Sequence, residues 1–111
     1  MDGYKQLNAM KKKVIGKLKI DAKATKSLKH YKYVNELHEL TTGRYIRWVN
    51  VNDLSKLMNG GFVVNVDIED YGTLITCKNW KNMFFRLYMD ECIIFQRITP
   101  EEHIILMAND I

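Results

Sequence analysis

Apolar residues near the start of the chain fall at Tyr4, Leu7, Met10, Val14, Ile15 and Leu18. Steps of 3, 3, 4 and 4 along Tyr4, Leu7, Met10, Val14 and Leu18 predict one face of a helix over residues 4–19, capped by Asp2. Lys5, Lys11, Lys12, Lys13, Lys17 and Lys19 fill the rest of its surface, so this helix is basic and amphipathic. Residues 20–27, IDAKATKS, carry no period and read as a joint. A second helix is predicted from about Ser27. There Tyr33, Leu37 and Leu40 recur at i, i+4 and i+7, flanked by Leu28 and Val34, and Gly43 supplies a left-handed stop.

After Gly43 the period falls from about 3.6 to 2. In FVVNVDI (62–68), Phe62, Val64, Val66 and Ile68 share one face and Asn65 and Asp67 the other, the alternation of a half-buried strand. RYIRWVN (44–50), TLITCK (73–78), MFFRLYM (83–89) and CIIFQR (92–97) supply four more strands, with turn-like EDYG, NWKN and DE between the later ones. The one long gap, 51–61, contains Gly60-Gly61. In TPEEHIILMA, Thr99 is a helix cap, Pro100 takes the first helical position and Glu102 completes a capping box. Ile104, Ile105 and Met107 give this last helix an apolar side.

These elements predict an α+β fold: a small five-stranded antiparallel SH3-like barrel with two N-terminal helices and a short C-terminal helix plugging one end. Residues 1–42 form a basic helical extension and 43–111 the barrel, in one folding unit without internal repeats.

Composition narrows the class. The chain has 111 residues, 47% apolar and 27% charged, which suits one folded domain. Its apolar runs are too short to span a membrane, and MDGYKQLNAMKKK lacks the apolar core of a secretion signal. Cys77 and Cys92 match no metal or redox spacing and read as reduced thiols of a cytosolic protein.

Charge adds a direction. Residues 1–47 hold twelve Lys/Arg and four Asp/Glu, whereas residues 48–111 hold five and nine. A basic front half suggests a polyanion partner, although a basic helix also docks on acidic proteins.

Catalytic chemistry finds little support. His30, His38 and His103 have no Cys or carboxylate at ligand spacing and read as surface or helix-packing residues. Glu69, Asp70, Asp90 and Glu91 fall in expected hairpin turns, where neighbours point apart. There is no phosphate-cradling glycine loop and no activated serine or cysteine. A non-enzymatic protein without cofactor or metal is expected.

Binding has more support. Lys11, Lys12, Lys13, Lys17 and Lys19 would contact phosphates without reading sequence, with Lys32, Arg44 and Arg47 extending the patch. In GRYIRWVN (43–50), Ile46 and Trp48 look inward and Tyr45 and Arg47 outward. An arginine beside a ring can hold phosphate while a base stacks. The alternative is that both side chains pack against the preceding helix. Tyr45, Trp80 and Tyr88 are the candidate aromatic contacts.

Isoleucine, lysine and asparagine number 11, 13 and 9, the mark of AT-rich coding. Against that background, LKHYKYVNELHELTTGRYIRWVN, NGGFVVNVDIEDYGTLITCKN and IIFQRITPEEHIIL resemble small uncharacterised proteins of nucleocytoplasmic large DNA viruses, mimivirus-like and phycodnavirus-like. The resemblance covers about residues 25–107 and carries no catalytic assignment. It implies a viral protein in the host cytoplasm or the virion. The leading expectation is sequence-nonspecific DNA or RNA binding by a small barrel. The rival is a virion structural or assembly protein acting through viral structural partners, and a third reading is a peptide reader using Tyr45, Trp80 and Tyr88.

Overall fold

The computed structural model describes residues 3–109, so Asp2, the expected cap, lies outside the described residues. Two helices, α1 (Gly3–Ile15) and α2 (Ala22–Ser27), precede strands β1 (Tyr31–Val34), β2 (Tyr45–Asn50), β3 (Gly61–Glu69), β4 (Gly72–Lys78), β5 (Phe84–Tyr88) and β6 (Cys92–Arg97). Helix α3 (Pro100–Asn109) follows them. It starts as its sequence dictates: the Glu102 N–H donates to Thr99 Oγ1 at 3.1 Å and the Thr99 N–H to Glu102 Oε1 at 3.3 Å.

The front of the chain departs from expectation. Residues 22–27, within the presumed joint, form α2, capped by Asp21, whose Oδ1 accepts from the Ala24 N–H at 2.7 Å. The predicted second helix is replaced by β1 and a 3₁₀ turn at Leu37–Glu39. The reason is tertiary. Tyr31, Lys32, Tyr33 and Val34 pair with Arg97, Gln96, Phe95 and Ile94, and two tyrosines with a valine suit a strand better than a helix. The spacing of Tyr33, Leu37 and Leu40 is not a helical face.

The sheet is antiparallel with order β1-β6-β2-β3-β4-β5. It has six strands, not five, and it is not closed, since β1 and β5 are its edges. The molecule is therefore α+β with an open six-stranded sheet and three helices. Strand β1 lies within the stretch expected to be an extension and pairs with β6.

Every strand contributes to one inner cluster: Val34, Ile94, Ile46, Trp48, Val63, Ile75, Cys77 and Leu87. The rings of Trp48 and Phe85 approach to 5.1 Å across it. Contact among inward residues of all six strands requires the sheet to curl on itself, although its edges stay apart. Leu28, Val49 and Phe95 are also fully buried but outside this cluster. Val49 and Phe95 occupy outward register positions, and α1 packs against β1 and α3. The helices thus cover part of the outer face.

Strand β3 corrects the alternation read from FVVNVDI. The register shifts between Val63 and Asn65. This β-bulge inserts one residue and reverses which side chains point inward. Val63 is 1% exposed and Val66 packs on the core, whereas Phe62, Val64 and Ile68 are 47%, 42% and 80% exposed. Two of the four residues of the supposed apolar face, Phe62 and Val64, lie on the outer side, and Ile68 is left open to solvent.

Two local features hold the curl. Gly60 has φ +101°, and a Cβ there would stand 2.2 Å from the Ile46 carbonyl oxygen, so only glycine lets β3 start this close to β2. Gln96 is fully buried in β6 and fastens the loop after β1: its Nε2 donates to the Glu39 carbonyl at 3.1 Å and its Oε1 accepts from the Thr41 N–H at 2.9 Å. Gln96→Leu fills similar space but strands both backbone groups, at about 1–3 kcal/mol each. Urea denaturation should show that loss, and an unchanged midpoint would show the latch carries no stability. Gly60→Ala should lose more than the ~1 kcal/mol typical of a glycine change, because it adds a backbone clash to an unfavourable φ.

Candidate nucleic-acid interface

The basic helix divides by role. Lys12, Lys13, Lys17 and Lys19 are exposed, as are Lys23, Lys26 and Lys29 on and after α2. Val14, Ile15 and Leu18 are half-buried, so this part of the apolar stripe turns inward, while Met10 stays 47% exposed. The side chains of Tyr4 and Leu7, the remaining stripe residues, lie outside the described residues. Lys11 belongs to the structure rather than to a binding face. Its Nζ donates to the carbonyls of Leu28, Lys29 and Tyr31 at 3.1, 3.3 and 2.9 Å. It ties α1 to the segment joining α2 and β1, and burial lowers its pKa from the usual lysine value.

Three more expected phosphate contacts are occupied. Lys32 Nζ lies 2.5 Å from Glu102 Oε2, and Arg44 Nη1 pairs with Glu102 Oε1. Arg47 donates from Nε to the Met58 carbonyl at 3.0 Å and from Nη1 to Ser27 Oγ at 2.8 Å. Arg47 thus reaches the end of α2 and the loop before β3, whereas the helix that it and Tyr45 were expected to pack against does not form and Tyr45 packs on Phe62 instead. Lys32, Arg44 and Arg47 thus serve to fasten loops and helices to the sheet.

A different set lines up on the outer face. Tyr31 pairs with Arg97, Tyr45 with Phe62, Phe62 with Lys78, and Lys78 with Phe84. Ile46 pairs with Gln96, so the next antiparallel step sets Tyr45 beside Arg97. The result is one transverse row, Tyr31–Arg97–Tyr45–Phe62–Lys78–Phe84, crossing all six strands. At strand spacing it runs about 24 Å. Tyr45 meets Phe62 edge-on at 5.0 Å, its hydroxyl donating to the Asn59 carbonyl at 2.7 Å. Lys78 Nζ lies 5.8 Å from the Phe84 ring centroid.

The row continues into the hairpin after β4. Trp80 is 75% exposed, with Lys81 Nζ 5.1 Å from its ring centroid. The hairpin is pinned from beneath: Asn79 Oδ1 accepts from the N–H groups of Lys81 and Met83 at 2.9 and 3.0 Å. Asn82 takes φ 63°, a left-handed conformation that asparagine tolerates. Trp80 thus stands exposed to solvent, not folded onto the core. Tyr88 pairs with Leu74 and is half-buried, off this row.

Phe62, Lys78, Phe84, Lys81 and Arg97 escaped the sequence reading. A hairpin register pairing Lys78 with Phe84 across NWKNM was a readable signal. The bulge that exposes Phe62 had none.

At the Arg97 end of the row a cleft of about 620 Å³ is lined in part by His30, Arg44, Tyr45, Phe62, Arg97 and His103. Elsewhere, His38 Nδ1 lies 3.3 Å from Glu36 Oε2 on the surface. Glu69 at the end of β3, Asp70 in the turn after it, and Asp90 and Glu91 in a 3₁₀ turn are all exposed. Burial pushes the Cys77 thiol up to about 12, and burial with Glu91 nearby pushes Cys92 up to about 11, so neither is a ready thiolate at neutral pH. Among the described residues, no group of three His, Cys, Asp or Glu could hold a metal ion, and no helix is long and apolar enough to cross a membrane.

Glu102 gives the acid behaviour of this end. Burial raises its carboxyl, but the Lys32 and Thr99 hydrogen bonds and the Lys32 and Arg44 charges outweigh it and hold the pKa below its usual value. A lowered folded value means stability present above the ordinary carboxyl range and lost as pH falls through the lowered one. Glu102→Gln should therefore cost stability near neutrality and flatten the acid limb of a stability-against-pH curve. An acid limb as steep as the parent's would assign it to other carboxylates. Comparison with known protein families, with curated proteins and with solved structures finds no match to this chain.

Proposed function

We propose that this protein is a non-enzymatic nucleic-acid-binding protein that engages DNA or RNA without reading base sequence. The observation that carries this reading is the row Arg97–Tyr45–Phe62–Lys78–Phe84 with Trp80 and Lys81 beyond it. Rings and cations are interspersed along one face, which is what a single strand asks of a protein: planes to stack bases on and charges to follow phosphates. Arg97, Lys78 and Lys81 enter no ion pair among the described residues. Single-strand-binding OB folds cover roughly 4–16 nucleotides, a scale that a path of about 24 Å fits at its lower end. The exposed lysines of α1 supply a second, purely electrostatic surface.

A second reading rests on the same face. Phe62, Val64, Met83 and Phe84 are 42–64% exposed, and apolar surface of this kind also marks protein contacts. Under that reading the chain is a structural or assembly protein, and the viral resemblance adds the host cytoplasm or the virion as its setting.

The test is binding of labelled single- and double-stranded DNA across a salt series. Single strands should bind at micromolar or tighter affinity, with a logarithm falling by roughly 0.7 per phosphate contact per unit of log salt. Trp80→Ala and Phe84→Ala should each weaken single-strand binding by roughly 5- to 150-fold, the worth of one stacked base, while leaving the salt slope alone. Charge reversal at Lys12, Lys13 and Lys17 should instead flatten the slope. Loss confined to the lysine variants would remove the row from the mechanism. Absence of binding at low salt would leave the protein-contact reading.

A further inference from the structure

The cleft of about 620 Å³ at the Arg97 end of the row falls within the size range of small-ligand sites. Resting on the nucleic-acid reading above, we propose that this cleft seats one nucleotide unit, a nucleoside phosphate, with its base against Tyr45 and Phe62 and its phosphate on Arg97. The argument begins with charge. Two arginines and two histidines contribute to the lining, and among the described residues no aspartate or glutamate does. Arg44 is held by Glu102, which leaves Arg97, exposed and without an ion pair among the described residues, as the cation for a ligand.

The rings are fixed before a ligand arrives. Tyr45 and Phe62 meet at 81°, and the Tyr45 hydroxyl is committed to the Asn59 carbonyl. Two planes at a right angle form a corner that accepts a flat aromatic base on one wall and its edge on the other. Pro100, Ile98 and Ile104 add apolar surface. Exposed His30 adds a donor near Arg97. A site with apolar walls, two rings and a cation at its rim is matched to a nucleotide rather than to phosphate alone.

Two sources share this chemistry: a free nucleotide, or a unit of a bound strand that continues along Lys78, Phe84 and Trp80. The full chain is titrated with AMP, adenosine and inorganic phosphate, following tyrosine and tryptophan fluorescence or amide shifts. AMP should bind more tightly than adenosine or phosphate. Arg97→Ala should weaken AMP about tenfold or more, the loss of a charge-assisted contact, and Arg97→Lys should recover part of it. Phe84→Ala should leave AMP binding unchanged. Displacement of AMP by oligothymidine identifies the strand as the source, and simultaneous binding identifies the free nucleotide; either supports the site.

No AMP binding at millimolar concentration, or AMP binding indifferent to Arg97→Ala in a variant with the parent's denaturation midpoint, overturns it. Strand binding that depends on Phe84 and Trp80 without AMP binding sinks the cleft and spares the functional reading. AMP binding at Arg97 without strand binding does the reverse.

Discussion

Packing the inward side chains of six strands on one another leaves a second face to be satisfied, and this chain has little helix with which to cover it. Pleating forces each strand to offer alternate residues to that face. Helix α1 packs against β1, and the outward residues Phe95 in β6 and Val49 in β2 are fully buried. Over β3, β4 and β5 nothing among the described elements covers that face, and Phe62, Val64 and Phe84 remain open. The division of the outer face into a covered and an open part follows from how little helix the chain has, and the candidate interface runs from Arg97 and Tyr45 at the margin of the covered part across the open one.

One carboxylate links the two ends of the sequence. Glu102 caps its own helix through Thr99, accepts from Lys32 in β1 and pairs with Arg44 at the mouth of β2. These partners lie 70 and 58 residues away along the chain. Two of the cations expected to extend the basic patch, Lys32 and Arg44, are thus consumed in positioning α3, which lines the cleft with Pro100, His103 and Ile104. A basic residue at a strand end is as valuable to a small fold for fastening as for binding, because a buried carboxylate needs partners.

Local signals determine how much was legible. The five later strands and α3 were readable because alternation, turn residues and the Thr99–Pro100–Glu102 cap are encoded within a few neighbouring positions. Strand β1 was not, since it exists through a partner at least 60 residues away, and Tyr33, Leu37 and Leu40 mimic a helical stripe. The bulge near Val64 was equally silent, and with it went the exposure of Phe62. At the interface, Trp80 and the exposed lysines of α1 were legible as types, whereas the row from Arg97 to Phe84 depends on register and so belongs to the folded sheet alone.

The hairpin that carries Trp80 has one further consequence. Its backbone is already committed, by two bonds to the Asn79 carboxamide and by the left-handed Asn82. Ordering a loose loop costs about 1–2 kcal/mol of backbone entropy for every residue fixed. Here that loss is taken when the chain folds, not when a partner arrives. Whatever settles on the indole meets a ring on a prepared mount, so its approach should be limited by collision and charge rather than by waiting for the loop to take shape.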